Sequence, residues 1–208
     1  STIVSVQNSL ACGITMKYGS DEQKETWLKP LARGEMLGCF CLTEPHTGSD
    51  AAAISTRADR DGDHFVLNGV KQFITTGKYA QVAIVFAVTD KAAGKKGISC
   101  FLVPTETPGY VVARIEEKMG QRASDTAQIL FENCRVPASC LLGKEGDGYR
   151  IALSNLEAGR IGIAAQSVGM ARAAFEAAVQ YAKERETFGK PIIEHQAVSF
   201  RLADMATQ

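Results

Sequence analysis

The sequence has no excess charge of either sign. Lys plus Arg total 23 and Asp plus Glu total 23 over 208 residues, so the formal net charge is zero. A general nucleic-acid binder is usually basic, so that class is disfavoured, although a local basic patch is not excluded. Histidine is scarce: His46, His64 and His195 lie far apart and support no Ser–His–Asp arrangement. The six cysteines, Cys12, Cys39, Cys41, Cys100, Cys134 and Cys140, form no C-x-x-C pair and have no histidine cluster beside them. A zinc site and a secreted disulfide framework are both poor readings of that pattern, and free thiols in a reducing compartment are expected. No run of 18 apolar residues occurs, so no membrane insertion is expected. The chain does not open on a basic stretch followed by an apolar one, so no signal peptide is visible. It has no internal repeat and no low-complexity tract.

What remains is ordinary globular composition, 45% hydrophobic and 22% charged, in a chain long enough for one large or two small domains. Three zones follow one another. Residues 1–37 read as helical, with Ser20 and Asp21 offering a cap before EQKETWLKPL and Pro30 near that helix's end. Residues 38–145 read as β. HFVLNGVKQFITTG holds an Asn68–Gly69 step between two β-rich runs, which predicts a hairpin there. QVAIVFAV, GISCFLVP, GYVVARI and TAQILFENCRV follow, rich in Val, Ile and Phe and bounded by Gly, Pro, Asp and Asn. Strands without intervening helices predict an antiparallel sandwich or barrel. Residues 146–208 read as helical again. Ala164, Val168, Ala171, Phe175, Val179 and Ala182 mark one face of a long helix that Phe188–Gly189–Lys190–Pro191 breaks, and another helix starts near Glu194. Both ends of the sequence read as the interior of something longer.

Several stretches carry candidate chemistry. CLTEPHTGSD, Cys41 to Asp50, follows the apolar run Leu37–Phe40. Pro45 and Gly48 mark a turn, while Thr43, Thr47 and Ser49 offer hydroxyls. It is either an ordinary polar turn or a binding loop for a ligand that needs many small donors. Thr75 and Thr76 end another strand in the same way. With Phe40 and Phe73 beside them, the two strand ends are either plain corners or one wall around a planar polar ring. Gly143–Gly148 fits neither the P-loop nor the dinucleotide fingerprint, and reads as a connection into the long helix. Lys118–Thr126 is a polar loop. Glu157 and Arg160 share a helix face, as a solvated pair or as part of a site, and Arg185 at a helix end has the geometry to contact a phosphate.

Taken together, CLTEPHTGSD, NGVKQFITTG (68–77), MGQRASDT (119–126), LEAGRIGIAAQSVGMA (156–171) and ERETFGKPIIEHQAVSFRLADMA (184–206) resemble the acyl-CoA dehydrogenases in order and spacing. The likeness covers essentially the whole chain and is strongest to the short- and medium-chain members. It implies an α+β fold. Residues 1–37 would end an N-terminal helical domain, 38–145 would form an antiparallel β-barrel or sandwich middle domain, and 146–208 would begin a C-terminal helical domain.

The resemblance also implies FAD as cofactor. Phe40, Cys41, Leu42 and Thr43 match the segment along the flavin pyrimidine ring. Gly48 and Ser49 match positions of the same loop that face the acyl-CoA. Phe73, Ile74 and Thr75 match the segment where an aromatic covers the flavin, a position often held by Trp. Arg185, Phe188 and Gln196 match residues lent by a neighbouring subunit of a homotetramer to the FAD pyrophosphate and adenosine. Glu157 and Arg160 match the CoA cleft, Glu157 more loosely because Asp often stands there. The implied reaction is α,β-dehydrogenation of a saturated acyl-CoA, with electrons passed to an electron-transfer flavoprotein in a bacterial cytoplasm or mitochondrial matrix. The α-proton needs a carboxylate base. The alternative base position matches Gly159, which has no side chain, so the base is expected beyond Gln208 and no catalytic residue is assigned within the chain. An acyl-CoA oxidase or flavin monooxygenase relative, and a non-catalytic binding or assembly fragment, are the alternatives.

Overall fold

The structure, a computed structural model, describes residues 2–208, the side chains of Thr2 and Ala158 excepted. It falls into two compact units that meet within one helix, at Gly159 and Arg160.

The first unit opens with helical residues 2–18, whose turns widen over Val6–Cys12. A second helical stretch, residues 21–33, starts at the expected cap. The Ser20 hydroxyl accepts from the Gln23 amide at 3.1 Å, and the Gln23 side chain accepts from the Ser20 amide at 3.0 Å. This reciprocal pairing satisfies two donors that the first turn leaves open. Pro30 lies within that stretch, which ends at Gly34 with φ +74, a conformation natural to glycine.

Strands β1 (Gly38–Cys41), β2 (Arg57–Asp61), β3 (His64–Thr75), β4 (Val82–Val88), β5 (Ile98–Pro104), β6 (Tyr110–Ile115) and β7 (Thr126–Pro137) form one sheet. The order runs β1-β4-β2-β3-β7-β6, with β5 on the other side of β4. Most neighbours are antiparallel, as expected. The sheet is nevertheless mixed, because β1 runs parallel to β4 from Gly38 opposite Val82 to Cys41 opposite Val85. β1 and the start of β2 share one edge of β4, with Arg57 opposite Val88. The chain between them, Leu42 to Thr56, must therefore loop out and return, and this loop contains most of CLTEPHTGSD.

The expected hairpin at Asn68–Gly69 does not form. β3 continues through it, with a register shift against β7 between Leu67 and Gly69. The hairpin turn lies earlier, where Gly62 (φ +61) joins β2 to β3. Gly69 answers a different need: a Cβ there would lie 2.5 Å from Thr56 Oγ1 and 2.7 Å from Thr56 Cα. The missing side chain permits a close backbone approach.

β4 is buried on both faces. Ala83, Val85 and Ala87 join Phe65, Leu67, Phe101, Ile129 and Phe131 in the concave core. Val82, Ile84 and Phe86 join Ile14, Leu31, Leu102, Leu142 and Ile151 in a second layer against the helices. This is why QVAIVFAV is a continuous apolar run and not an alternating one. The six cysteines are free. The loop through Gly143 and Gly146, both at positive φ, leads into the long helix Gly148–Glu184 as expected.

The second unit holds the rest of that helix. Beyond Glu184 the chain makes a short hairpin, β8 (Glu186–Thr187) with β9 (Lys190–Pro191), turned at Phe188 and Gly189 (φ +52 and +78). The last helix spans Gln196–Thr207. No helix among the described residues is long and apolar enough to cross a membrane.

Candidate flavin and acyl-CoA site

Two strand ends meet in the first unit. β1 ends at Cys41, and the chain continues through Leu42 and Thr43. β3 runs past the end of β2, so its last residues reach that same place. The Gln72 amide donates to the Thr43 carbonyl at 2.8 Å. Lys71 Nζ donates to the Leu42 carbonyl at 3.1 Å. Phe40–Thr43 and Phe73–Thr75, far apart in sequence, are thereby cross-linked side by side.

The side chains of these segments divide into anchors and free groups. Cys41, Leu42 and Ile74 are buried. Phe40 is half-buried with its ring 5.0 Å from that of Phe86. Phe73 is 62% exposed and has φ +59, rare for a residue with a side chain, at a second register shift between Lys71 and Ile74. An exposed aromatic held in that conformation is displayed, not packed. Thr43 and Thr75 are half-buried, and no side-chain hydrogen bond engages either hydroxyl among the described residues. Next in sequence, Thr76 is 2% exposed at φ +64, and its hydroxyl has no partner. Buried hydroxyls are normally bonded; Thr76 departs from that, as do Thr56 and Ser124.

Gly48 and Ser49 are exposed on the loop after Thr43. Glu44 and Thr47 close the loop by reciprocal backbone bonds of 2.9 and 3.1 Å, and the Thr47 hydroxyl donates to the Asp50 carbonyl at 2.6 Å. Glu44 is 3% exposed. Its carboxylate accepts from Ser55 N at 2.7 Å, Ser55 Oγ at 2.8 Å, Thr56 N at 3.0 Å and Lys71 Nζ at 2.7 Å. Burial alone would raise this carboxyl, but the Lys71 charge and these donors outweigh it and hold it at about 2. Lys71 is pushed down by burial, with Glu44 opposing. Nothing in the spacing of Glu44 and Lys71 signals this pair.

Glu157 and Arg160 are exposed and three residues apart on the long helix. Gly159 between them offers no carboxylate. In the second unit, Arg185, Phe188 and Gln196 gather around the β8–β9 hairpin. The Ile192 amide donates to the Arg185 carbonyl at 2.8 Å. The Phe188 ring stands 6.1 Å from His195, edge to face, and is 97% exposed. His195 Nε2 lies 3.1 Å from Thr187 Oγ1, which ties the start of the last helix to the hairpin. Arg185 and Gln196 are exposed. The hairpin thus presents a guanidinium and an aromatic outward. Among the described residues, no cluster of His, Cys, Asp or Glu could hold a metal ion.

Three family models match the chain: "Acyl-CoA dehydrogenase, N-terminal domain" over residues 1–35, "Acyl-CoA dehydrogenase, middle domain" over 39–134 and "Acyl-CoA dehydrogenase, C-terminal domain" over 146–208. The human mitochondrial short-chain specific acyl-CoA dehydrogenase is 50% identical over 204 residues, 98% of this chain and 50% of that protein. A chain in a solved structure of the electron transferring flavoprotein of Acidaminococcus fermentans matches at TM-score 0.95 and 48% identity, over 99% of this chain and 54% of its own. A glutaryl-CoA dehydrogenase from Mycobacterium smegmatis, in complex with FADH2, matches at TM-score 0.91 and 44% identity, over 99% and 52%. The chain spans about half the length of these relatives. Three consecutive domain matches, a relative at 50% identity and the shared fold agree: the chain belongs to the acyl-CoA dehydrogenase family.

Proposed function

We propose that this chain carries the flavin-binding and part of the acyl-CoA-binding surface of an FAD-dependent acyl-CoA dehydrogenase. The observation that bears the reading is the cross-linked pair of segments, with the exposed Phe73 and the unengaged Thr43 and Thr75 hydroxyls on them. The middle domain is taken as residues 38–145, between helical portions 1–37 and 146–208.

FAD supplies a hydride acceptor when bound. The residues of the chain do the rest of what can be derived. Phe40, Cys41, Leu42 and Thr43 would hold the flavin through backbone donors and the Thr43 hydroxyl, and such donors would favour negative charge on it. Phe73 would cover the bound ring and exclude water, with Ile74 anchoring the segment and Thr75 adding a hydroxyl. Gly48 and Ser49 lie toward the acyl-CoA, and Arg160, with Glu157, lines the CoA cleft. Arg185, Phe188 and Gln196 serve the pyrophosphate and adenosine of a neighbouring subunit's FAD in a homotetramer. Neither Glu157 nor Glu44 is assigned as the base. Glu157 stands two residues from Arg160's neighbour Gly159, about 200° around the helix, and Glu44 is fully engaged.

The proposed substrate is a saturated acyl-CoA, short-chain by analogy with the human relative reported above. The proposed electron acceptor is an electron-transfer flavoprotein, and the setting is a bacterial cytoplasm or mitochondrial matrix. The test is an absorbance spectrum of the purified protein, followed by anaerobic addition of butyryl-CoA and octanoyl-CoA. A bound flavin spectrum supports the reading, and bleaching would further show that the purified protein holds a base, with the better substrate reporting chain length. A protein that binds no flavin refutes it, and hydrogen peroxide on readmitting air identifies an oxidase instead.

A further inference from the structure

The Glu44–Lys71 pair is the least expected feature of the molecule. The two side chains are 1% and 0% exposed. A buried ion pair is a poor stability device, because apolar residues of the same volume often do as well or better. Its place in the fold suggests a different reason for its presence.

Glu44 directly follows Thr43, and Lys71 precedes Phe73 by two residues. Each partner grips a different backbone. Glu44 Oε2 accepts from both Ser55 N and Ser55 Oγ, and Oε1 accepts from Thr56 N and Lys71 Nζ. Ser55 and Thr56 are the last residues before β2, so Glu44 fastens both ends of the excursion between β1 and β2. Lys71 spends a further donor on the Leu42 carbonyl. Between them runs the Gln72-to-Thr43 backbone bond. The strained Phe73 backbone comes next, and such a conformation persists only when its surroundings over-determine it. The pair lies behind the display of Phe40–Thr43 and Phe73–Thr75, touching its backbone but leaving its hydroxyls free.

We infer that Glu44 and Lys71 are positioning residues: the pair clamps the two flavin-facing segments in register, so that removing it loosens FAD without unfolding the chain. The inference rests on the flavin reading above. The specific device is the carboxylate–ammonium clamp, because among the described residues it joins Leu42, Thr56 and β3 through side chains.

The decisive variant is the double substitution Glu44→Gln with Lys71→Met, which removes both charges and leaves no buried ion unpaired. FAD affinity is read by flavin fluorescence quenching, and amide hydrogen exchange is followed at Ser55, Thr56 and Gln72, with Phe65 and Ile84 as core controls. The expected result is at least a tenfold loss of FAD affinity and faster exchange at Gln72 and Thr56, with core exchange and the thermal midpoint little changed. Wild-type FAD affinity in the double variant, or exchange at Gln72 as slow as before, overturns the clamp. Loss of core protection together with affinity also overturns it, since the pair would then merely hold the fold. If the unsubstituted protein binds no FAD, the flavin reading itself fails, and the exchange data alone decide whether the clamp exists.

Discussion

Gly69 lies so close to Thr56 that a Cβ on it would sit 2.5 Å from the threonine hydroxyl oxygen and 2.7 Å from the threonine Cα. One of those contacts is with backbone, which cannot rotate away. Gly69 also has φ +153, unsuited to a side chain. Gly69→Ala is therefore expected to destabilise the protein by about 2 kcal/mol or more through overpacking and backbone strain. Thermal unfolding measures it. A midpoint equal to wild type would mean that the approach of β2 to β3 relaxes freely.

That glycine also shows what the sequence could and could not reveal. Asn68–Gly69 carries the local signal of a hairpin, yet here the glycine serves a close approach inside a continuous strand. Local chemistry names a special backbone position without saying which special need it meets. The run at Val82–Val88 was legible because a strand buried on both faces must be apolar throughout. The parallel pairing of β1 with β4 was not, since a period of two says nothing of a partner's direction. Ser20 was legible as a cap because its partner is three residues away. Lys71 was not legible as a buried cation: its counter-ion lies 27 residues earlier, and a lone lysine in a strand reads as solvated. The site residues carried by the family motifs were legible as motifs. The clamp behind them became visible only when two distant segments met.

The Glu44 carboxyl sits at about 2 in the folded protein, because Lys71 and its donors overcome the effect of burial. In the unfolded chain it titrates near the ordinary value of 4.5. A depressed folded value means the stabilisation is complete above the unfolded value and is lost as pH falls toward the folded one. Stability should therefore drop between about pH 4.5 and 2, by on the order of 2–3 kcal/mol from this group. The titratable neighbours facing it are Lys71 and His46, whose Nε2 lies 3.9 Å from Glu44 Oε2, and Cys41 faces Lys71. Denaturant unfolding at a series of pH values checks this, and the Glu44→Gln, Lys71→Met double variant should flatten that part of the profile. An unchanged slope would assign the acid sensitivity to other groups.

Phe65 has no exposed surface and meets the Phe101 ring at 5.0 Å, tilted by 64°. On its other side Arg60 places its guanidinium carbon 4.6 Å from the ring centroid. Phe65→Ala empties the middle of the concave core, and about 3–5 kcal/mol of stability should be lost. Phe65→Leu should recover a large part of it, since the loss is chiefly one of filled volume. Urea unfolding separates the two, and equal losses would point to the edge-to-face contact instead of volume.

Arg185 and Phe188 offer the opposite case, because both are exposed and neither packs in a core. Substituting either should leave stability within about 0.5 kcal/mol. Under the proposed function the Arg185 guanidinium meets a pyrophosphate, and losing a hydrogen bond to a charged group costs about 1.5–3 kcal/mol. Arg185→Ala should therefore weaken FAD binding by roughly 10- to 100-fold. Phe188→Ala should weaken it less, because stacking carries no charge. The two effects should appear in the FAD dissociation constant of the assembled protein and not in its thermal midpoint without flavin. A normal dissociation constant for Arg185→Ala would remove the hairpin from the flavin site and leave the family's borrowed-residue arrangement unsupported for this chain.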